Sequence, residues 1–96
     1  MPQAKVGVVV ALLSEAKALG LRAPKPGLND ADAVQVHVSG IGAAAAALAA
    51  EMLVDRGCQA LLSFGTAGGL AAALVPGDVV VPSEIIFMDG RVVATD

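Results

Sequence analysis

VQVHVSGIGAAAAALAAEMLVDRG, residues 34–57, is the stretch on which the fold is read. Val34, Val36 and Val38 alternate with Gln35 and His37, the period of two that belongs to a strand. His37 therefore leaves the valine face and points to the second face of that strand. Ser39-Gly40-Ile41-Gly42 breaks the alternation. From Ala43 to Arg56 the chain is then a helix, because alanine is the strongest helix former and dominates the segment. Gly57 suits the C-terminal stop, and Ser39 suits an N-cap. The run Ala43–Ala47 gives the helix a face of small side chains that can lie close against a sheet.

Working outward, Lys5–Leu13 is a second strand-like run, with Val6, Val8, Val9 and Val10 almost unbroken. Continuous rather than alternating apolarity is the mark of a strand covered on both faces, as in a parallel sheet. Ser14–Leu19 starts a short helix with Ser14 as its cap, weakened by Gly20 and limited by Pro24. Ala23–Ala33, with Pro24, Pro26, Gly27, Asn29 and Asp30, reads as a surface loop. Gln59–Phe64 is a further strand and Asp78–Ile86 another. Met88–Arg91 is a turn carrying the Asp-Gly hairpin signal, after which Val92–Ala94 pairs back. Strands alternating with helices predict an α/β chain: a three-layer, mostly parallel sheet with flanking helices.

Composition narrows the function classes. The 96 residues are 56% hydrophobic, with Phe64 and Phe87 as the only phenyl rings and neither Trp nor Tyr. The length fits one small domain with a thin aliphatic core. A net charge of −3, with few and scattered Lys and Arg, supplies no electrostatic footprint for nucleic acid. No apolar run reaches the ~18 residues of a membrane span. The start, Met-Pro-Gln-Ala-Lys, has no signal-peptide layout. A lone cysteine, Cys58, excludes an internal disulfide and makes a cytoplasmic setting the default; it reads as a small buried hydrophobe.

In an open parallel sheet, ligands sit beyond the carboxyl ends of the strands. Three loops fall there: Leu12–Glu15, Ser39–Gly42 and Gly65–Gly69. The last, Gly-Thr-Ala-Gly-Gly, could hold an anion or sugar hydroxyls in a nest of N–H groups. It could equally be a tight turn in which Thr66 satisfies its own backbone. It lacks the Gly-Lys-Ser/Thr ending of a phosphate loop and the Gly-x-Gly-x-x-Gly spacing of a dinucleotide site. Glu15, the only carboxylate of the first loop, is either a helix-dipole partner or a group that orients a water or a base. Asp78, after Pro76-Gly77, is most simply a turn residue. His37, the only histidine, has no second imidazole with which to build a metal site.

Taken together, GVVVALLSEAKAL, VSGIGAAAAALAAEML and GCQALLSFGTAGGLAAALVPGDVVVPSEI resemble, in order and spacing, the purine nucleoside phosphorylase / methylthioadenosine–adenosylhomocysteine nucleosidase superfamily. The compact form is similar to its hopanoid-associated phosphorylase branch. The resemblance implies a phosphorylase/hydrolase-like fold and cleavage of the N-glycosidic bond of a purine nucleoside of the adenosine type. It implies that Glu15 helps activate the attacking water and that Leu12 lies near the ribose. Ile41 would line the pocket for the group on the ribose 5′ carbon. Within the Gly65-Thr66-Ala67-Gly68 loop, Thr66 would contact the ribose or the nucleophile, and the backbone of Ala67 and Gly68 would run beside the purine. No cofactor is implied; phosphate is the alternative nucleophile to water, and a homo-oligomer, as a dimer, is expected.

Two departures accompany the resemblance. Leu21–Ala33 is shorter than the family's corresponding stretch. The family's purine-stacking aromatic, its ribose-gripping Met-Glu pair and the Asp that protonates the leaving base have no counterpart here. Residues 1–96 therefore read as the N-terminal part of such a domain, incomplete and inactive alone. The alternative is a non-catalytic α/β fragment that binds a nucleoside or self-associates.

Overall fold

The structure, a computed structural model, describes residues 5–31 and 34–96. Its elements in chain order are β1 (Val6–Val10), α1 (Leu13–Ala18), β2 (Gly27–Ala31), β3 (Val34–Val38), α2 (Ala43–Asp55), β4 (Ala60–Ser63), β5 (Glu84–Ile86) and β6 (Val92–Ala94). The first four strands form one sheet in the order β2-β3-β1-β4. β1 is central and parallel to both neighbours, with Val8 opposite Val36 on one side and Leu62 on the other.

The valine run of β1 needs cover on both faces, and the two helices supply it. Val8, Val10, Val36 and Val38 are buried together with Ala16 of α1, and Leu19 and Leu21 close the edge of this cluster. Successive strand residues point to opposite faces, so Gly7 and Val9 look the other way, toward α2. There Leu53 and Ala49 are fully buried. His37 and Gln35 share that second face and are buried too, with Gln35 donating to Asp30 Oδ1 at 2.7 Å across the β2–β3 pair. Cys58 is buried and free, as its apolar character implies.

α2 ends as its sequence predicts. Gly57 takes φ +92°, its N–H donates to the Val54 carbonyl at 2.9 Å, and the Cys58 N–H reaches the Leu53 carbonyl at 3.1 Å. This is the Schellman closure that a left-handed glycine makes available. The helix start differs from expectation. Its N-cap is Gly42, without a side-chain cap bond, while the Ser39 hydroxyl turns back to the carbonyls of Val10 and Gly40. The cap of α1 likewise falls on Leu12 rather than Ser14.

Two further expectations are corrected. The expected loop Ala23–Ala33 contains β2, antiparallel to β3 with Asn29 opposite Val36; its last two positions lie outside the described residues. Asn and Asp disfavour strands, but here the Asn29 side chain clasps the backbone of Lys25 at 2.8 and 3.0 Å and sets the bend that leads the chain alongside β3. The expected strand Asp78–Ile86 is reduced to β5, which pairs only with β6 and stands apart from the main sheet. Asp78 closes a turn by accepting the Val75 N–H at 3.0 Å, and Val79–Val81 follow as exposed, unpaired chain. The turn after β5 is as read: Gly90 is left-handed, and Arg91 pairs with Asp89 while covering the Phe87 ring. Among the described residues no helix is long and apolar enough to cross a membrane.

The α2 face is closely fitted at Gly7. A Cβ there would lie 3.0 Å from Leu53 Cδ1 and 3.0 Å from Leu61 Cδ2. Gly7→Ala should therefore destabilise by overpacking, by about 1–3 kcal/mol, and Leu53→Ala by cavity formation, by about 2–5 kcal/mol. Urea unfolding of the two variants measures both. The Gly7→Ala cost should shrink only in part in the Leu53→Ala background, because the Cδ1 contact goes while those with Leu61 Cδ2 at 3.0 Å and the residue 53 Cβ at 3.1 Å remain.

Candidate active site

The parallel sheet delivers three loops to one end, and backbone bonds hold them there. Beyond the last residues of the ladders, Ser39 N–H donates to the Val10 carbonyl at 2.8 Å, Gly40 N–H to Ala11 at 3.1 Å and Phe64 N–H to Val9 at 3.0 Å. Each bond extends a strand pairing into the loop that follows it. Together they bring Ala11–Glu15, Ser39–Gly42 and Phe64–Thr66 around a cleft of about 370 Å³, a volume in the range of small-molecule sites.

Glu15 is the centre of this arrangement. Leu12, the α1 N-cap, has no side-chain acceptor to offer the first turn, and Glu15 at the third helical position supplies one. Its Oε1 accepts the N–H groups of Ala11 and Leu12, each at 3.1 Å, the reciprocal half of a capping box. Its Oε2 accepts the Thr66 N–H at 2.8 Å and the Thr66 hydroxyl at 3.3 Å. The side chain is buried. The Thr66 N–H is the strongest influence holding its pKa below the usual carboxylate range. Desolvation opposes this, and the Leu12 and Ala11 N–H groups and the Thr66 hydroxyl add to the lowering. The carboxylate is therefore ionised and fully engaged with donors.

Of the residues singled out from sequence, Glu15, Gly65 and Thr66 stand in the wall of the cleft. Leu12 and Ile41 do not; their side chains are 42% and 82% exposed beside it. Ala67 and Gly68 continue the loop past the wall. The anion-nest reading of Gly65–Gly69 loses one of its donors, since the Thr66 N–H is occupied by Glu15, and Thr66 does not cap its own backbone. Ser63, Phe64 and Ala46 also contribute to the wall and were not singled out. Their signal lay in position alone: Ser63 and Phe64 at the end of β4, and Ala46 one turn into α2. The wall contains one carboxylate and no Lys or Arg. Among the described residues no group of three His, Cys, Asp or Glu side chains is placed to hold a metal.

The family model described as phosphorylase superfamily matches residues 27–95. The chain belongs to this superfamily. A curated relative, the 5′-methylthioadenosine/S-adenosylhomocysteine nucleosidase of Colwellia psychrerythraea, is 46% identical over 63 residues, covering 65% of this chain and 26% of the relative. The match thus spans well under two thirds of the relative's length. No solved structure matches the chain. The family match begins at Gly27 and leaves β1 and α1 outside it. That outer segment is joined to the matched one by the β1 ladders with β3 and β4 and, at the cleft, by the bonds that Thr66 donates to Glu15.

Because the folded-state pKa of Glu15 is depressed, its contribution to stability is present above the unfolded value, about 4.3, and is lost as pH falls through the folded value. Acid unfolding followed by circular dichroism should therefore show a limb that Glu15→Gln flattens. The variant should also be less stable than wild type at neutral pH, because a neutral amide cannot accept from donors on both sides. Thr66→Val removes only the 3.3 Å hydroxyl bond and should keep most of the acid limb.

Proposed function

We propose that this end of the sheet is the ribose- and nucleophile-facing part of a purine nucleosidase site, acting on a nucleoside of the adenosine type with water as the nucleophile. The single observation that carries the reading is the direction of the hydrogen bonds between Glu15 and Thr66. Both donors of Thr66 are directed at Glu15, so what the pair offers the cleft is negative charge and the lone pairs of the Thr66 hydroxyl. Such a wall accepts an O–H from water or a ribose hydroxyl. It repels a phosphate dianion, which has acceptor oxygens and here meets no Lys or Arg in the wall. The relative named as a nucleosidase supports the same reaction class.

The chemistry follows from charge. Cleavage of an N-glycosidic bond passes through a sugar with oxocarbenium character, and a fixed carboxylate stabilises the positive charge as it develops. A carboxylate held well ionised is a weak base toward neutral water. Glu15 would orient the water by accepting a hydrogen bond from it in place of the 3.3 Å Thr66 hydroxyl bond, and would take that proton only as the water attacks the cationic sugar. On this reading Thr66 holds a ribose hydroxyl or the same water, Leu12 and Ile41 flank the sugar and its 5′ substituent, and Ala67 and Gly68 run beside the base. The leaving purine needs an acid, and none of the described cleft residues is placed for that role. The 96-residue chain should accordingly bind a nucleoside without turning it over.

The experiment is base release from methylthioadenosine, with and without phosphate, by a protein in which this chain is joined to a leaving-group half. Release should be independent of phosphate. Glu15→Gln should lower it by roughly 10²–10⁴-fold, the usual worth of an acid–base group, while leaving purine binding largely intact. Thr66→Val should weaken nucleoside binding. A requirement for phosphate would replace the nucleosidase reading with a phosphorylase one. The same reading places the protein in the cytoplasm as a homodimer, with the open β4 edge, where Leu61 and Leu62 are half exposed, as the surface that a second copy covers. A concentration-independent monomer in sedimentation would refute the dimer.

A further inference from the structure

The loop Gly65-Thr66-Ala67-Gly68-Gly69 contains glycines with different reasons to be there. A Cβ built at Gly65 would lie 2.8 Å from Glu15 Oε2, 3.4 Å from Glu15 Cδ and 3.6 Å from Oε1. A Cβ at Gly68 would meet nothing within 4 Å. Neither glycine has the left-handed φ found at Gly40 and Gly42, so backbone conformation demands glycine at neither position. What distinguishes Gly65 is the carboxylate against its Cα. A methyl group closer than 3 Å to an oxygen must displace something. Here the oxygen is not a free chain end: it is fixed by the Thr66 N–H at 2.8 Å, and the other oxygen by two N–H groups of the α1 start. The carboxylate cannot retreat without losing those donors.

We infer that Gly65 is a positioning residue of this site, whose missing side chain is the space that lets the Glu15 carboxylate seat on Thr66 and face the cleft. The consequence for turnover rests on the nucleosidase reading; the seating itself does not. With any side chain at 65 the carboxylate moves out of the plane in which Thr66 donates to it. The strongest donor bond is then lost first, because the Thr66 amide is the neighbour of the altered residue. Glu15 would then turn toward solvent, and Thr66, with its N–H and O–H released, would present donors where the wild-type wall presents acceptors. The substitution thus changes the polarity of the wall as well as its shape.

The test uses the chain itself, with the Glu15 carboxyl titrated by carbon-13 NMR and the Thr66 amide followed by nitrogen-15 correlation spectra. Wild type should show Glu15 titrating below the usual range and a Thr66 amide shift that changes with that titration. Gly65→Ala should raise the Glu15 titration toward an ordinary carboxylate and uncouple the Thr66 amide from it, while Gly68→Ala leaves both as in wild type. A Gly65→Ala protein that folds and keeps both wild-type signatures overturns the inference, and so does an equal change in Gly68→Ala. Should Gly65→Ala be too unstable for spectra, denaturant midpoints decide through a double-mutant cycle. The cost of Gly65→Ala should vanish in a Glu15→Ala background, where the clashing oxygen is gone, and an undiminished cost there refutes the steric link. These readouts need no substrate. Failure of the nucleosidase reading would appear as absent or phosphate-dependent base release by the joined protein, with the Glu15 and Thr66 signatures intact.

Discussion

The Glu15 carboxylate divides its oxygens between two parts of the chain that are far apart in sequence. One oxygen closes the start of α1, satisfying the N–H groups that follow β1; the other receives both donors of Thr66 beyond β4. Donors to an ionised acceptor make stronger bonds than neutral pairs, and buried N–H groups left without partners are costly. The carboxylate therefore ties the loop after β1 to the loop after β4 at the end of the sheet. The loop after β3 joins through the backbone N–H groups of Ser39 and Gly40 and the Ser39 hydroxyl, which donate to the Val10 and Ala11 carbonyls, so all three loops are referenced to the end of β1.

That arrangement sets the polarity of the cleft wall. A glycine-rich loop after a strand suggests an anion site when its N–H groups are free. Here the most prominent of them is already neutralised by an internal carboxylate, and the loop's polarity toward a ligand is inverted.

Much of this was legible in the sequence, and the exceptions have physical causes. The unbroken valines of β1, the alternation of β3 and the alanine helix ending at Gly57 each express one local rule, and each element lies where that rule puts it. β2 was missed because its residues are poor strand formers and its existence depends on pairing with β3, a tertiary contact that outweighs propensity. Val79–Val81 were over-read for the converse reason: β-branched residues favour a strand but do not create one without a partner ladder. Ser14 and Ser39 were assigned caps by residue type, yet α1 draws its cap from a carboxylate three positions along and α2 does without one. In the site, Glu15 and Thr66 were each visible as polar residues after apolar runs. That each would be the other's partner follows only from the parallel crossover. The need for glycine at 65 is invisible without knowing what approaches its Cα.

The register of the main sheet also bears on how the chain reaches this state. β2 and β3 are antiparallel and separated by only two residues of chain, so their pairing closes a minimal loop. β1 has no neighbour in the sheet until β3 has been made, and its second neighbour, β4, lies later still in the sequence. Parallel pairings of this range carry the entropic cost of closing long loops before any contact compensates it. Throughout that interval Val-Gly-Val-Val-Val is an unpaired, uncharged and strongly β-forming segment, with the composition that makes transient strands adhere to one another. The strand that becomes the centre of the finished sheet is thus the part of the nascent chain most in need of protection.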